Sequence, residues 1–280
     1  MQEKDFFLPG KISDFPGREA EKFFFSHLIF HMDGVYYTIT DSKKGGTAMG
    51  KDFFERCRQL AEQGDAEALF DLAQCYAYGN GVEQDEKEAV KYYQKAAEAG
   101  WPEALYQLAE CYRCGGGVEQ DDEEAFKYYK KAVDADCWEA LFELAECYAY
   151  GTGVERDEKE AFKYYREAAD EGMTQALLPL AECYHYGTGV EQDDKEAFKC
   201  YAEAADEGWI EAYFELAECY HYGTGVERNP KEAVKWYKEA AEAGWPEAIC
   251  KLEELTGTTW TADSADGGII ALEDENKDEE

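Results

Sequence analysis

Ala66-Glu67-Ala68-Leu69-Phe70-Asp71-Leu72-Ala73-Gln74-Cys75-Tyr76 returns as Pro102-Glu103-Ala104-Leu105-Tyr106-Gln107-Leu108-Ala109-Glu110-Cys111-Tyr112, at an offset of 36 residues. The frame reopens at Trp138-Glu139-Ala140, Thr174-Gln175-Ala176 and Ile210-Glu211-Ala212, and in shortened form at Pro246-Glu247-Ala248. Five units of 36 residues therefore fill 65–244 with no insertion or deletion, flanked by half units at 51–64 and 245–255. A fixed period of this length is the mark of a stacked repeat array.

Each unit is helical twice. Ala68, Leu72, Cys75 and Tyr76 fall on one face at i, i+4, i+7 and i+8, and Ala89, Tyr92, Tyr93, Ala96 and Ala97 form a wider apolar stripe. The spacing predicts helix A near Ala66–Tyr78 and helix B near Glu86–Ala99, joined by a turn with Gly79 and Gly81. Helix B opens at Asp85, Asp121, Asp157 and Asp193, each with a glutamate three residues on, the spacing of a capping box. Asn229-Pro230 marks the same boundary in the fifth unit. Helix B stops at Gly100, Gly172, Gly208 and Gly244, with Asp136 replacing that glycine once. Pro179 within the fourth helix A predicts a local irregularity costing about 3 kcal/mol, and replacement by Glu is expected to stabilise the chain.

Two short helices cannot bury both apolar faces alone, so the units must stack. The expected fold is all-α: a right-handed superhelical α-solenoid of helix-turn-helix repeats over 51–255. Its last half unit carries Glu253 and Thr256 where the first unit has Ala73 and Tyr76, a polar outer face suited to an end cap. Residues 1–50 are a small extension: Phe23–Phe30 and Val35–Thr40 read as aromatic strands around Asp33-Gly34, a β-hairpin-like pair. It serves either as a cap on the first helix or as a separate partner-binding pair. Lys43–Thr47 reads as a flexible connection, and 256–280 as an acidic, disordered tail.

With 28 Lys+Arg against 63 Asp+Glu the net charge is −35, while 45% hydrophobic residues argue for a folded chain. That charge excludes nucleic-acid binding, which needs clustered cations, and docking to anionic membrane. No apolar run reaches the roughly 20 residues needed for membrane insertion. The N-terminus shows no signal-peptide pattern, so the expected localisation is cytoplasmic.

Chemistry-bearing patterns are sparse. Serine occurs only at Ser13, Ser26, Ser42 and Ser264, outside the repeats, and the recurring Gly-x-Gly follows a helix rather than a strand. Cys75, Cys111, Cys147, Cys183 and Cys219 share one repeat position and read as buried fillers, too far apart for disulfides when helices stack about 10 Å apart. Cys57, Cys114, Cys137, Cys200 and Cys250 occupy unrelated positions, and Cys111-Tyr112-Arg113-Cys114 is a lone Cys-x-x-Cys. His185 and His221 repeat once as helix-end residues. No catalytic residue, metal site or cofactor is expected, and the oligomeric state is left open.

The unit resembles the SEL-1-like repeat (SLR), a relative of the tetratricopeptide repeat. The resemblance rests on Ala140, Leu144-Ala145-Glu146-Cys147-Tyr148, Gly151-Thr152-Gly153-Val154, Asp157, and Ala161-Phe162-Lys163-Tyr164-Tyr165-Arg166-Glu167-Ala168-Ala169-Asp170-Glu171-Gly172, in five copies. Alanine replaces the family's helix-A glycine in every unit. The resemblance implies a non-enzymatic scaffold or adaptor. Cysteine-rich members suggest a second reading as a β-lactam-binding or hydrolysing enzyme, against which stand the missing second cysteine ladder and missing nucleophiles. A third reading is a regulatory module or secreted effector. In tetratricopeptide-like stacking helix A lines the concave face. The positions that would face it are an acidic row (Glu67, Glu103, Glu139, Glu211, Glu247), an aromatic row (Phe70, Tyr106, Phe142, Phe214) and a second acidic row (Glu110, Glu146, Glu182, Glu218). A tyrosine row (Tyr78, Tyr150, Tyr186, Tyr222) lies beside His185 and His221. Such a surface is expected to take a basic protein or peptide, unless the aromatics merely pack between helices.

Overall fold

Each unit folds as the pattern requires, a pair of helices around a glycine turn. The computed structural model describes residues 29–32, 35–38, 48–262 and 269–271. Its helices are α1 (Ala48–Ala61), α2 (Ala66–Tyr78), α3 (Glu86–Glu98), α4 (Pro102–Cys114), α5 (Asp122–Asp134), α6 (Leu141–Tyr150), α7 (Glu158–Asp170), α8 (Leu177–Tyr186), α9 (Asp194–Asp206), α10 (Ile210–Tyr222), α11 (Pro230–Glu242) and α12 (Pro246–Thr256). The fold is a helical repeat solenoid. The chain divides into two compact units between Cys200 and Tyr201. Within 41–200, α2 packs on α3, α4 on α5 and α6 on α7, and α3, α5 and α7 each also meet the next helix A. Within 201–280, α11 packs on both α10 and α12.

The core repeats as the sequence does. Helix A contributes Ala68, Leu72 and Ala73, helix B contributes Ala89, Tyr93 and Ala96, and their counterparts Tyr129, Tyr165 and Tyr237 are buried in the same way. Alanines at the helix contacts let the backbones approach, while one tyrosine ring per pair fills the space between.

The turn glycines have different duties. Gly79 and Gly151 cap helix A in the left-handed region, and a methyl group there would meet only ordinary contacts. Gly81, Gly117, Gly153 and Gly189 also have positive φ. A Cβ on them would lie 2.0, 2.3, 1.9 and 2.0 Å from the carbonyl oxygens of Gly50, Glu86, Asp122 and Glu158, at the start of the preceding helix B. The second glycine is therefore a stacking contact between repeats as well as a turn residue.

Three expectations need correction. The capping box is only half formed. Asp85, Asp121, Asp157 and Asp193 each accept from two amides of the first turn through Oδ1. The return bond from the glutamate has no donor to find, because the cap amide already donates to a helix-A carbonyl: Asp85 to Tyr76, Asp121 to Tyr112, Asp157 to Tyr148. Glu88, Glu124, Glu160 and Glu196 pair instead with Lys91, Lys127, Lys163 and Lys199 one turn on.

Pro179 is not a disruption. The third and fourth helices A both open with a 3-10 turn, Trp138–Ala140 and Thr174–Ala176, and only the fourth contains proline. Since α8 begins at Leu177, Pro179 lies in its first turn, where proline is tolerated.

The ends are less plain than sequence suggests. Strands β1 (Ile29–Met32) and β2 (Val35–Thr38) pair antiparallel, with Met32 opposite Val35. Helix α1 starts at Ala48, inside the span assigned to the extension. The 256–280 segment is not wholly unstructured: β3 (Trp260–Ala262) and β4 (Ile269–Ala271) pair antiparallel. The readings of 1–28, 33–34, 39–47, 263–268 and 272–280 lie outside the described residues.

Candidate functional site

The four rows of helix-A residues separate once side chains are placed. The aromatic row packs inward. Phe70, Tyr106, Phe142 and Phe214 are half-buried, their ring centroids 5.6, 6.1, 6.0 and 5.6 Å from those of Tyr93, Tyr129, Tyr165 and Tyr237. Phe70 and Phe214 also lie beside Trp101 and Trp245. This row stabilises the helix pairs and leaves little free aromatic face.

The second acidic row is tied to the core. The buried Tyr129, Tyr165 and Tyr237 hydroxyls donate to Glu110, Glu146 and Glu218 across their helix pairs. Burial and the adjacent carboxylate together push these phenols far above their usual range. In the first repeat the glutamate is replaced by Gln74, and both the Tyr93 hydroxyl and the Gln74 Oε1 are buried without a hydrogen-bond partner. Glu182 is exposed. Of the first acidic row, Glu67, Glu211 and Glu247 are exposed, Glu103 has one oxygen buried without a partner, and Glu139 accepts from the Cys137 thiol at 3.3 Å.

The tyrosine row is the open one. Tyr78, Tyr150, Tyr186 and Tyr222 are 49%, 74%, 71% and 59% exposed, against near-complete burial of Tyr93, Tyr129, Tyr165 and Tyr237. The Glu146 carboxylate, some burial and the Glu182 carboxylate together raise the Tyr150 phenol above its usual range. His185 lies edge-on to Tyr186, with Nδ1 3.1 Å from Asp194 Oδ1. His221 stacks on Tyr222, with Nδ1 3.4 Å from the Tyr237 hydroxyl.

Sequence reading missed several residues at this face. Lys251 of α12 reaches Glu218 and Tyr222, and Arg113 of α4 forms a two-pronged pair with Glu110. Glu143 stands at the same repeat position as Lys251, and burial pushes its carboxyl up to about 7. Asp71, in that position in the first repeat, is raised to about 7 by burial and by Glu67 and Asp65. The available signal was the alignment itself: this position holds Asp71, Gln107, Glu143, Pro179, Glu215 and Lys251, while the next one is leucine in every unit.

The ten cysteines form no disulfide. Burial pushes the thiols of Cys111 and Cys183 up to about 11 and those of Cys137 and Cys147 up to about 12, far from the thiolate a nucleophile needs at neutral pH. Cys57 of α1, placed by sequence at an unrelated position, acts together with burial to push the Cys75 thiol of α2 far above its usual range. Among the described residues no group of three or more His, Cys, Asp or Glu could hold a metal, and no helix is long and apolar enough to cross a membrane.

The family model for the Sel1 repeat matches residues 66–101, 102–137, 138–173, 174–209 and 210–245. Among solved structures, the chain is similar to a protective antigen present in uropathogenic Escherichia coli strains displaying an SLR fold. The TM-score is 0.67 at 33% identity, over 72% of this chain and 43% of that one. It therefore spans less than half of that protein. It is also similar to a Sel1 repeat protein from Oxalobacter formigenes, with TM-score 0.66 and 30% identity over 74% of this chain and 86% of the other. The search of curated proteins finds no match.

Proposed function

The chain belongs to the Sel1 repeat family, and from that premise we propose that it is a scaffold or adaptor holding a basic protein or peptide at the open tyrosines of 41–200, Tyr78, Tyr150 and Tyr186. Sel1 repeat proteins are typically protein-interaction scaffolds, and the fold is generally a non-enzymatic one. The observation that carries the finer reading is the set of large aromatics left open, Tyr78, Tyr150 and Tyr186, in a chain of net charge −35. An exposed phenol ring flanked by carboxylates attracts a cation through its π face and through charge at once. The chain already uses this contact internally, with Lys95, Lys131 and Lys163 standing 4.6, 4.7 and 4.5 Å over Tyr92, Tyr128 and Tyr164.

This reading moves the aromatic contribution from Phe70, Tyr106, Phe142 and Phe214 to the tyrosine row. A cytoplasmic setting is part of the same proposal, supported by the absence of disulfides among ten cysteines. Fluorescence anisotropy with a lysine-rich peptide, and with an acidic peptide of equal length, tests it. Binding of the basic peptide alone, weakening steeply as salt rises, is the expected result. Equal binding of both peptides, or no salt dependence, overturns it.

A further inference from the structure

The Tyr129, Tyr165 and Tyr237 hydroxyls donate to the helix-A carboxylates of Glu110, Glu146 and Glu218, and this chain supplies a cation to Glu110 and to Glu218. In the second repeat Arg113 donates to both oxygens of Glu110, through Nε at 2.9 Å and a terminal nitrogen at 2.5 Å. In the fifth, Lys251 Nζ lies 3.6 Å from Glu218 Oε1, donates to the Tyr222 hydroxyl at 3.2 Å and stands 5.6 Å over the Tyr222 ring. The negative field of Glu254 acts on the same lysine.

The third repeat presents the same surroundings without the cation. Glu146, Tyr150, Tyr165 and Glu182 lie two repeats before Glu218, Tyr222, Tyr237 and Glu254, and the residue two repeats before Lys251 is Pro179. Glu146 accepts from Tyr165 as Glu218 does from Tyr237, but no basic side chain pairs with it among the described residues. Tyr150 is the most exposed large hydrophobic residue described. Both Glu146 and Glu182 are close enough to act on its phenol.

We infer that Glu146, Tyr150 and Glu182 form a subsite for one lysine ammonium of an extended partner segment, the group that Lys251 supplies to the fifth repeat. An ammonium fits the pattern because its compact charge can meet a carboxylate and a phenol oxygen while its methylene stem lies on the ring. Arg113 fills the second repeat differently: there the tyrosine-row position is Cys114, so no exposed ring is present, and the guanidinium grips the carboxylate from its own helix. The subsite rests on the basic-partner reading and gives it a location.

The test uses the full chain with a labelled peptide of alternating lysine and alanine and its Nε-acetyl-lysine counterpart. Tyr150→Ala removes the ring, Pro179→Lys fills the subsite from within, and Pro179→Ser controls for loss of the proline. Tyr150→Ala and Pro179→Lys are each expected to weaken the lysine peptide roughly tenfold, with Pro179→Ser unchanged and the acetylated peptide indifferent to all three. If the lysine peptide binds the parent chain and both variants equally, the subsite is overturned while the basic-partner reading stands. If no peptide binds, that reading fails. The subsite is then decided by nuclear magnetic resonance with Nα-acetyl-lysine methylamide: shifts of the Tyr150 ring signals that vanish in Pro179→Lys support it, and their absence overturns it. Circular dichroism verifies folding, and Tyr150→Ala, at an exposed ring, carries the result should Pro179→Lys not fold.

Discussion

The third and fifth repeats share a buried half and differ at the surface. In both, a helix-B tyrosine fills the space between helices and donates to a helix-A glutamate, Tyr165 to Glu146 and Tyr237 to Glu218. Above the fifth pair Lys251 closes over Tyr222, whereas above the third Tyr150 stands open. The second repeat adds a third state: Arg113 neutralises Glu110, and the following helix A supplies Glu143, whose negative field reaches both Glu110 and Tyr129. The buried half of a repeat is thus set by its own two helices. Its outer half depends on one residue of the next helix A, and that residue can be changed without rebuilding the fold.

The largest expected effect attacks the stacking on which this comparison depends. Gly153→Ala drives a methyl group into the Asp122 carbonyl at positive φ, and should cost about 3 kcal/mol or more in urea unfolding. Gly151→Ala, two residues away and also at positive φ but without that clash, should cost only about 1–2 kcal/mol. Equal costs would show that the second glycine is only a turn residue.

Removal of the buried hydroxyls sharpens the contrast between the two repeats. Tyr165→Phe deprives Glu146 of its tyrosine donor and should cost about 1–2 kcal/mol, while Tyr237→Phe leaves Glu218 with Lys251 and should cost less than about 1 kcal/mol. A matched loss in denaturant midpoint would mean that Lys251 does not compensate.

Glu143 extends the comparison to pH. Its carboxyl titrates near 7 in the folded chain against an ordinary 4.5, because burial disfavours the charge. The folded state therefore holds more protons than the unfolded state between those values. The resulting contribution to stability is complete below about 4.5, declines as pH rises and is gone above about 7. Asp71 acts with the same sign between its ordinary 3.8 and about 7. Melting temperatures of Glu143→Gln should fall less steeply with pH across this window, and those of Asp71→Asn combined with Glu143→Gln less steeply still.

The smallest effects are at the surface position itself. Pro179→Lys should gain, and Lys251→Ala lose, up to about 1 kcal/mol in thermal unfolding, the scale of partly exposed ion pairs. Pro179→Glu reverses the expectation drawn from sequence. The proline obstructs nothing in the first turn of α8, and a glutamate there would add a carboxylate beside Glu146, so its melting temperature should fall slightly. A rise would restore the view of Pro179 as a defect.

The 36-residue period, the helix boundaries, the aspartate caps and the left-handed glycines were legible in the sequence because they arise within a turn or two of chain. An amphipathic stripe needs only residues three and four apart, and a cap only the amides next to it. The tyrosine row was legible as well, since it lies off both apolar stripes. The tertiary structure alone decided that Phe70, Tyr106, Phe142 and Phe214 pack inward, and that Glu110, Glu146 and Glu218 serve buried phenols 19 residues away. It alone also brought Lys251 over Tyr222, 29 residues distant. Those contacts cross from one helix to another, so they depend on interhelical distance and on the neighbour's side chain, neither of which a periodicity within one helix can encode.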